Sequence, residues 1–112
     1  MPLYGVIMST SKATAEYILE QLSSLGDVRV RRMFGEYALY CFGRVVGFIC
    51  DDEIFIKKTA AGQIYASGRY VEGTAYPGAK LSMNITDSID DADFFCELVR
   101  LTAMALPLPK RT

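Results

Sequence analysis

The sequence contains no histidine, no tryptophan and only three cysteines among its 112 residues. Without histidine, the chain lacks the commonest general base, the usual imidazole metal ligand and the base partner of serine and cysteine nucleophiles. The cysteines, Cys41, Cys50 and Cys96, are odd in number, and their spacing matches neither a disulfide framework nor a zinc site. These absences predict a protein that is not an enzyme, with no catalytic residues, no metal and no cofactor.

Long apolar runs and an excess of charge are also absent. No stretch approaches the ~20 consecutive apolar residues that span a bilayer, and residues 1–8 lack the basic start of a signal peptide. The net charge of −1 and the pI near 5.3 argue against direct binding to duplex DNA, which favours a basic excess or a basic face. We therefore expect a cytoplasmic protein without a membrane partner.

Two groups of acidic residues could form an acid–base pair or a magnesium site. The groups are Asp51, Asp52 and Glu53 in the strand region, and Asp90, Asp91 and Asp93 near the last helix. Turns and helix starts favour Asp in any case. We therefore interpret both groups as structural.

What the chain does contain is the composition of a globular domain, 51% apolar and 22% charged. Its length predicts a single domain over residues 1–112. Apolar residues spaced by three and four predict a helix over 12–25 that ends at Gly26. A short helix is expected after Thr59, and a last helix over 91–105 that ends before Pro107.

Alternating apolar runs predict five strands, at 28–31, 37–41, 44–50, 53–58 and 81–85, and hence a small α+β domain. The connections Phe42-Gly43 and Asp51-Asp52 are two residues long, which indicates consecutive antiparallel hairpins. Gly35 is expected at a positive φ or in a bulge, because the alternation fails just before it.

The hairpin connections also predict a register. The expected pairs are Tyr40 with Val45, Leu39 with Val46, Ala38 with Gly47, and Phe48 with Phe55. Ala38 and Gly47 would then let a helix approach one face closely. The other face would be apolar and uncovered, carrying Tyr37, Leu39, Val46, Phe48 and Phe55. Since monomers rarely expose so large a patch, we expect a twofold homodimer across it, with residues 3–8 as the alternative cover.

Four motifs resemble the N-terminal domain of the TfoX (Sxy) competence-regulator family. They are Arg31-Arg32-Met33-Phe34-Gly35 with Tyr37 and Tyr40, Val46-Gly47-Phe48-Ile49-Cys50-Asp51-Asp52, Tyr76-Pro77-Gly78-Ala79-Lys80, and Leu106-Pro107-Leu108-Pro109-Lys110. The resemblance extends over residues 19–110. The sequence departs from the family at Glu36 and Ala38, where glycines are usual, at Phe42, where Asn or Asp is common, and at Leu81, where proline is frequent. We therefore expect a short, single-domain member that lacks the second, C-terminal domain of the longer regulators.

The resemblance implies a two-layer α/β sandwich with helices on one face of a mostly antiparallel sheet, in the order α-β-β-β-β-α-β-α. It also implies a regulatory interaction module that acts through a protein partner, with the transcription machinery as one candidate. The residues expected to bind this partner are Arg31, Arg32, Met33, Phe34, Tyr40, Tyr76, Pro77, Gly78 and Lys80. The alternative is a small-molecule or peptide-binding domain with its pocket near Arg32, Tyr40 and residues 76–78. The basic residues of the strand region could contact an acidic partner or a phosphate, or simply protect a solvated edge strand.

Overall fold

The structure is a computed structural model that describes residues 10–108 of the chain. The elements are α1 (Lys12–Gln21), β1 (Val28–Met33), β2 (Glu36–Cys41), β3 (Arg44–Cys50), β4 (Glu53–Ile56), α2 (Ala60–Ala66), β5 (Val71–Thr74), β6 (Leu81–Asn84) and α3 (Ala92–Ala105). Short 3₁₀ turns at Ser23–Leu25 and Thr86–Ser88 precede β1 and α3. Within the described part, no helix has the length and apolar character needed to cross a membrane.

The six strands form one sheet in the order β1-β2-β3-β4-β6-β5, and every neighbouring pair is antiparallel. All three helices contribute to one core cluster, through residues such as Ile18, Ala66 and Phe95. The predicted α+β class is confirmed. The predicted element order lacks one strand, because Val71–Thr74 was expected to be part of a loop. Glu72 and Gly73 are weak strand formers, so pairing with β6 rather than local preference makes it a strand.

The helices begin at the kinds of residue that the sequence indicated. Ser11, Thr59 and Asp91 each accept a side-chain hydrogen bond from the backbone N–H three residues further on. The first helix is shorter than predicted, since α1 ends at Gln21. The chain continues through the 3₁₀ turn to Gly26, which has a φ of 90°.

Each hairpin in β1–β4 turns through two residues with a left-handed backbone. The φ values are 52° and 84° at Phe34-Gly35, 52° and 79° at Phe42-Gly43, and 55° and 62° at Asp51-Asp52. Two-residue loops with positive φ at both positions are type I′ turns, whose twist matches that of the flanking strands. The positive φ expected at Gly35 and the two predicted hairpin connections are confirmed.

Strand β3 carries one more residue than β2 at the centre of the sheet. Val45 pairs with Tyr40 and Gly47 pairs with Leu39, so Val46 has no partner in β2. This β-bulge shifts the register by one residue. From Gly47 onward, the side chains of β3 therefore lie on the opposite faces, relative to β2, from those that the unbroken register predicts. The predicted pairs that the bulge overturns are Leu39 with Val46 and Ala38 with Gly47.

The bulge also changes the predicted dimer surface. Tyr37, Leu39 and Val46 belong to the core cluster with the helices and do not lie on an uncovered face. Phe48 and Phe55, paired as predicted, lie on the other face, and Phe55 is only 6% exposed. The expected patch of five apolar residues is therefore wrong. The homodimer stays a prediction without that patch, and the alternative cover, residues 3–8, lies outside the described residues.

We call the sheet face opposite the helices the open face. Cross-strand pairs place on it a row consisting of Arg31, Ala38, Phe48, Phe55 and Asn84, and a shorter row consisting of Arg29, Tyr40 and Val45. Loop 75–80, between β5 and β6, contacts this face through Tyr76. The Tyr76 ring meets Phe48 edge-on, with the centroids 5.8 Å apart and the planes at 86°. The loop then turns at Pro77 and Gly78, where the Ala79 N–H donates to the Tyr76 carbonyl.

A polar junction ties the start of α1 to two of the hairpin turns. The Thr10 backbone N–H donates to Glu36 Oε1 at 3.1 Å, and the Thr10 hydroxyl lies 2.6 Å from the same oxygen. The Ser11 N–H and the Thr14 hydroxyl both donate to Asp52 Oδ1, each at 2.8 Å. The hydrogen bond from the Ser11 amide is the main reason why the pKa of Asp52 lies below its ordinary value.

Gly47 is the position where the sheet itself forbids a side chain. A Cβ there would lie 2.1 Å from the carbonyl oxygen of Phe55, so the close neighbour is β4 and not the helix that the sequence suggested. We expect Gly47→Ala to lower the free energy of unfolding by about 3 kcal/mol or more, measured by urea denaturation. Gly73→Ala is the matched control, because its Cβ would meet Phe55 Cε2 at an ordinary 3.5 Å. Equal stability of the two variants would contradict this close approach of β4 to Gly47.

The Asp52 contacts predict a pH dependence of stability. A carboxyl group whose pKa is lower in the folded state stabilises the fold above its unfolded pKa, and this contribution is lost as the pH falls through the folded value. Asp52→Asn keeps a residue that tolerates the left-handed turn, and should lower stability at pH 7 by less than about 1 kcal/mol, because the group is exposed. The difference from wild type should shrink below about pH 4 in thermal melts. Asp87→Asn, on an exposed residue outside the junction, serves as the control, and a difference independent of pH would rule out the charge effect.

Candidate functional site

Phe34 stands at the tip of the β1–β2 hairpin, fully exposed and with a left-handed backbone. Bulky residues are disfavoured at positive φ, and Asn, Asp or Gly is usual at this position of a type I′ turn. The equivalent residue of the next hairpin, Phe42, packs against the core cluster. In the third hairpin the equivalent residue is Asp51, whose residue type suits the turn. Phe34 differs from both, because its residue type does not suit the turn and its side chain gains no burial within the described fold.

An apolar groove runs from this tip onto the open face. Its lining is mostly apolar, and its volume is about 420 Å³. We call it the hairpin groove; its lining residues are Met33, Phe34, Glu36, Tyr37, Phe48, Cys50, Ala75 and Tyr76. The three strands β1–β3 supply its floor, and loop 75–80 supplies the wall opposite Phe34. The groove can therefore accept an apolar group from outside beside an exposed aromatic ring.

A second concavity lies beyond the Phe48–Tyr76 pair, and we call it the lysine cleft. Phe48, Tyr76, Lys57, Lys80 and Ser82 are among its lining residues, and its volume is about 690 Å³. Lys57 follows β4 directly, and Lys80 precedes β6, the strand that pairs with β4. Burial, and then the charge of Lys80, lower the pKa of Lys57. The cleft thus combines an aromatic wall with two neighbouring cations.

The remaining basic residues lie elsewhere on the sheet. Arg29, Arg31 and Tyr40 border a third, shallower concavity of about 440 Å³ on the open face. Arg32 points to the other face, where its Nη1 donates to the Tyr37 hydroxyl at 3.1 Å and its guanidinium lies 5.6 Å from that ring's centroid. Adjacent arginines of β1 therefore contact different faces, as the alternation of a strand requires.

The structure distributes the predicted partner-binding residues over several surfaces. Met33 and Phe34 meet Tyr76 at the hairpin groove, whereas Tyr76, Gly78 and Lys80 border the lysine cleft. Arg31 and Tyr40 line the third concavity, Arg32 lies on the helix face, and Pro77 occupies the turn of loop 75–80. Phe48 was missed as a site residue, and Lys57 was considered only among the basic residues that could contact an acidic partner or a phosphate. The predicted pairing of Phe48 with Phe55 already placed both phenylalanines on one face, and this pairing could have identified Phe48 as a surface residue of the site.

The chemistry of these surfaces suits binding. Burial raises the pKa of the Cys41 and Cys50 thiols to about 11, so both stay protonated at neutral pH and are poor nucleophiles. Asp52 binds the start of α1 and Asp91 caps α3, which are the structural roles expected for them. Across residues 10–108, no three Cys, Asp or Glu side chains are grouped as a metal site would require.

Comparison with known proteins identifies a family and a similar curated protein. The family model described as the TfoX N-terminal domain matches residues 20–105, which include all six strands. A protein of Spirochaeta aurantia, described as an uncharacterized 12.7 kDa protein in the trpE 5′ region, is 43% identical over 103 residues, 92% of this chain and 89% of that protein. No solved structure matches the chain. The chain therefore belongs to the TfoX N-terminal domain family and is a competence-regulator-like domain.

Proposed function

We propose that this protein is a non-enzymatic regulatory module that acts in the cytoplasm by binding a protein partner at the hairpin groove. The observation that carries the proposal is the fully exposed Phe34 at a left-handed position of the hairpin. A phenylalanine there lowers the stability of the free protein by about 1 kcal/mol relative to a residue that suits the turn. Burial against a partner is the contact that would offset this cost.

The surroundings of Phe34 describe the kind of partner surface that fits. Met33, Phe48 and Tyr76 offer apolar contacts, and aromatic anchors of this type can contribute about 2 kcal/mol or more to binding. The exposed Arg31, on the open face of the edge strand β1, adds positive charge near the groove. A partner with an apolar side chain flanked by acidic residues would complement both features. Family membership makes a component of the transcription machinery the first partner to test.

Direct action on duplex DNA and catalysis are not part of this proposal. The net charge is −1, so phosphate contacts would have to come from a small local patch. The chain has no histidine, and burial keeps the thiols of Cys41 and Cys50 protonated. These features support a role in binding.

Phe34→Asn separates partner binding from folding. Asparagine suits the first position of a type I′ turn, so we expect the free energy of unfolding to stay equal or rise by up to about 1 kcal/mol. Loss of the aromatic anchor should weaken partner binding roughly 30-fold. Calorimetry of unfolding and surface-plasmon binding measurements check the two parts. Unchanged affinity in a well-folded variant would contradict the assignment.

Photocrosslinking identifies the partner on which that affinity is measured. A photoreactive phenylalanine analogue replaces Phe34 in cells that naturally carry the protein, and replaces Ile64 of α2 as the control, since Ile64 is 78% exposed. Position 34 should give a discrete adduct that position 64 does not, with a transcription factor or polymerase subunit identified by mass spectrometry. Equal labelling from both positions, or an adduct only with a second copy of the chain, would argue against the regulator.

A further inference from the structure

We propose that the lysine cleft is a binding site for a nucleoside phosphate, with the phosphate between Lys57 and Lys80 and the base against Tyr76. This site is separate from Phe34, although it shares the Phe48–Tyr76 wall with the hairpin groove. The volume of about 690 Å³ lies within the range of about 300–1,000 Å³ typical of small-molecule sites.

The charges in the cleft favour an anion. Three lysines, Lys57, Lys58 and Lys80, are among its described lining residues, and none of those residues is acidic. Lys58 forms an ion pair with Glu72. Lys57 and Lys80 form no ion pair within residues 10–108, although other lysines and arginines there, such as Lys12 with Glu16, do. A phosphate placed between the two amino groups would relieve their mutual repulsion and meet two donors.

The partial burial of Lys57 strengthens its repulsion with Lys80, because water screens buried charges less than exposed ones. Its side chain is half-buried on the open face, whereas Lys80 is exposed at the rim of the cleft. Burial and the neighbouring charge of Lys80 both favour loss of the Lys57 proton, which is why the pKa of this amino group is lowered. A bound anion reverses that trend, so the free protein carries a site poised for a negative ligand.

The aromatic wall favours a flat ring on the same ligand. Tyr76 is 49% exposed, and its edge-on contact with Phe48 holds the orientation of its ring. A base that stacks on a side chain already held in place loses less conformational freedom than one that must order its partner. An inorganic anion would use the lysines alone, and a nucleoside would use the ring alone. The combination favours a molecule with both parts, either free or as part of a single strand.

Titration of the ¹⁵N-labelled full chain tests this proposal, with chemical shifts giving both the site and the affinity. The probes are the four nucleoside monophosphates, adenosine, inorganic phosphate, a single-stranded hexanucleotide and a duplex of the same sequence. At least one nucleoside monophosphate should bind about tenfold or more tightly than either adenosine or inorganic phosphate. The shift changes should centre on Lys57, Tyr76 and Lys80. Phosphate binding as tightly as every nucleotide, or changes centred elsewhere, would overturn the proposal.

Side-chain variants show which part of the cleft does the binding. Lys57→Gln and Lys80→Gln should each weaken nucleotide binding about tenfold, and Tyr76→Leu should reduce the preference for nucleotide over phosphate. Lys12→Gln removes an exposed positive charge on α1 and should have no effect beyond general screening. Thermal melts confirm that each variant is folded, and loss of affinity in the Lys12 variant equal to that in the Lys57 variant would reduce the site to a net-charge effect.

The remaining measurements distinguish a free nucleotide from single-stranded nucleic acid. They also distinguish this proposal from partner binding at the hairpin groove. Tighter binding of the hexanucleotide than of any monophosphate, with the same dependence on Lys57 and Lys80, would assign the site to single-stranded nucleic acid. Equal or tighter binding of a monophosphate would assign it to a free nucleotide. Phe34→Asn should leave nucleotide affinity unchanged, so failure of partner binding and failure of this site give different results. No binding of any nucleotide or strand would overturn the proposal.

Discussion

The unpaired residue Val46 determines which side chains at the centre of the sheet reach the helices. With the bulge, Tyr37, Leu39 and Val46 join the core cluster, and Ala38 and Phe48 lie on the open face. Without it, the alternation would place Phe48 on the same face as Tyr37, Leu39 and Val46. Gly47, next to the bulge, admits the backbone of β4 so closely that a Cβ cannot be placed there. The core and both concavities beside Phe48 depend on this one register shift.

The shape of the open face depends on a loop whose position does not follow from the strand pairing alone. Loop 75–80 lies between the edge strand β5 and β6, and it brings Tyr76 onto Phe48 of β3. This single aromatic contact divides the face into an apolar groove and a basic cleft. Two surfaces of different chemistry therefore share one wall, so a ligand that moves Tyr76 in the cleft would also change the groove.

Similar turn chemistry at the three hairpins has different consequences. Phe42 and Asp52 both adopt left-handed backbones, but the first contacts the core and the second holds the start of α1. Phe34 adopts the same conformation with its ring in solvent. At Phe42 and Asp52, contacts with the core and with α1 offset the strain of the left-handed backbone. At Phe34, no burial within the described residues offsets it. That contrast is the physical basis for the proposal that a partner binds at the hairpin tip.

The sequence by itself determined the features that depend on local chemistry. The helix start at Thr59, the hairpin turns at Phe42-Gly43 and Asp51-Asp52, the α+β class and the family followed from short patterns, because capping and turn geometry involve only neighbouring residues. The motifs also singled out Tyr76 and Lys80, which the structure places at the lysine cleft. Only the tertiary structure decided the bulge, the strand β5 and the grouping of Lys57 with Lys80. Each depends on pairing or contact between different segments of the chain, and such contacts are settled by the packing of the whole sheet, not by the residues of one strand.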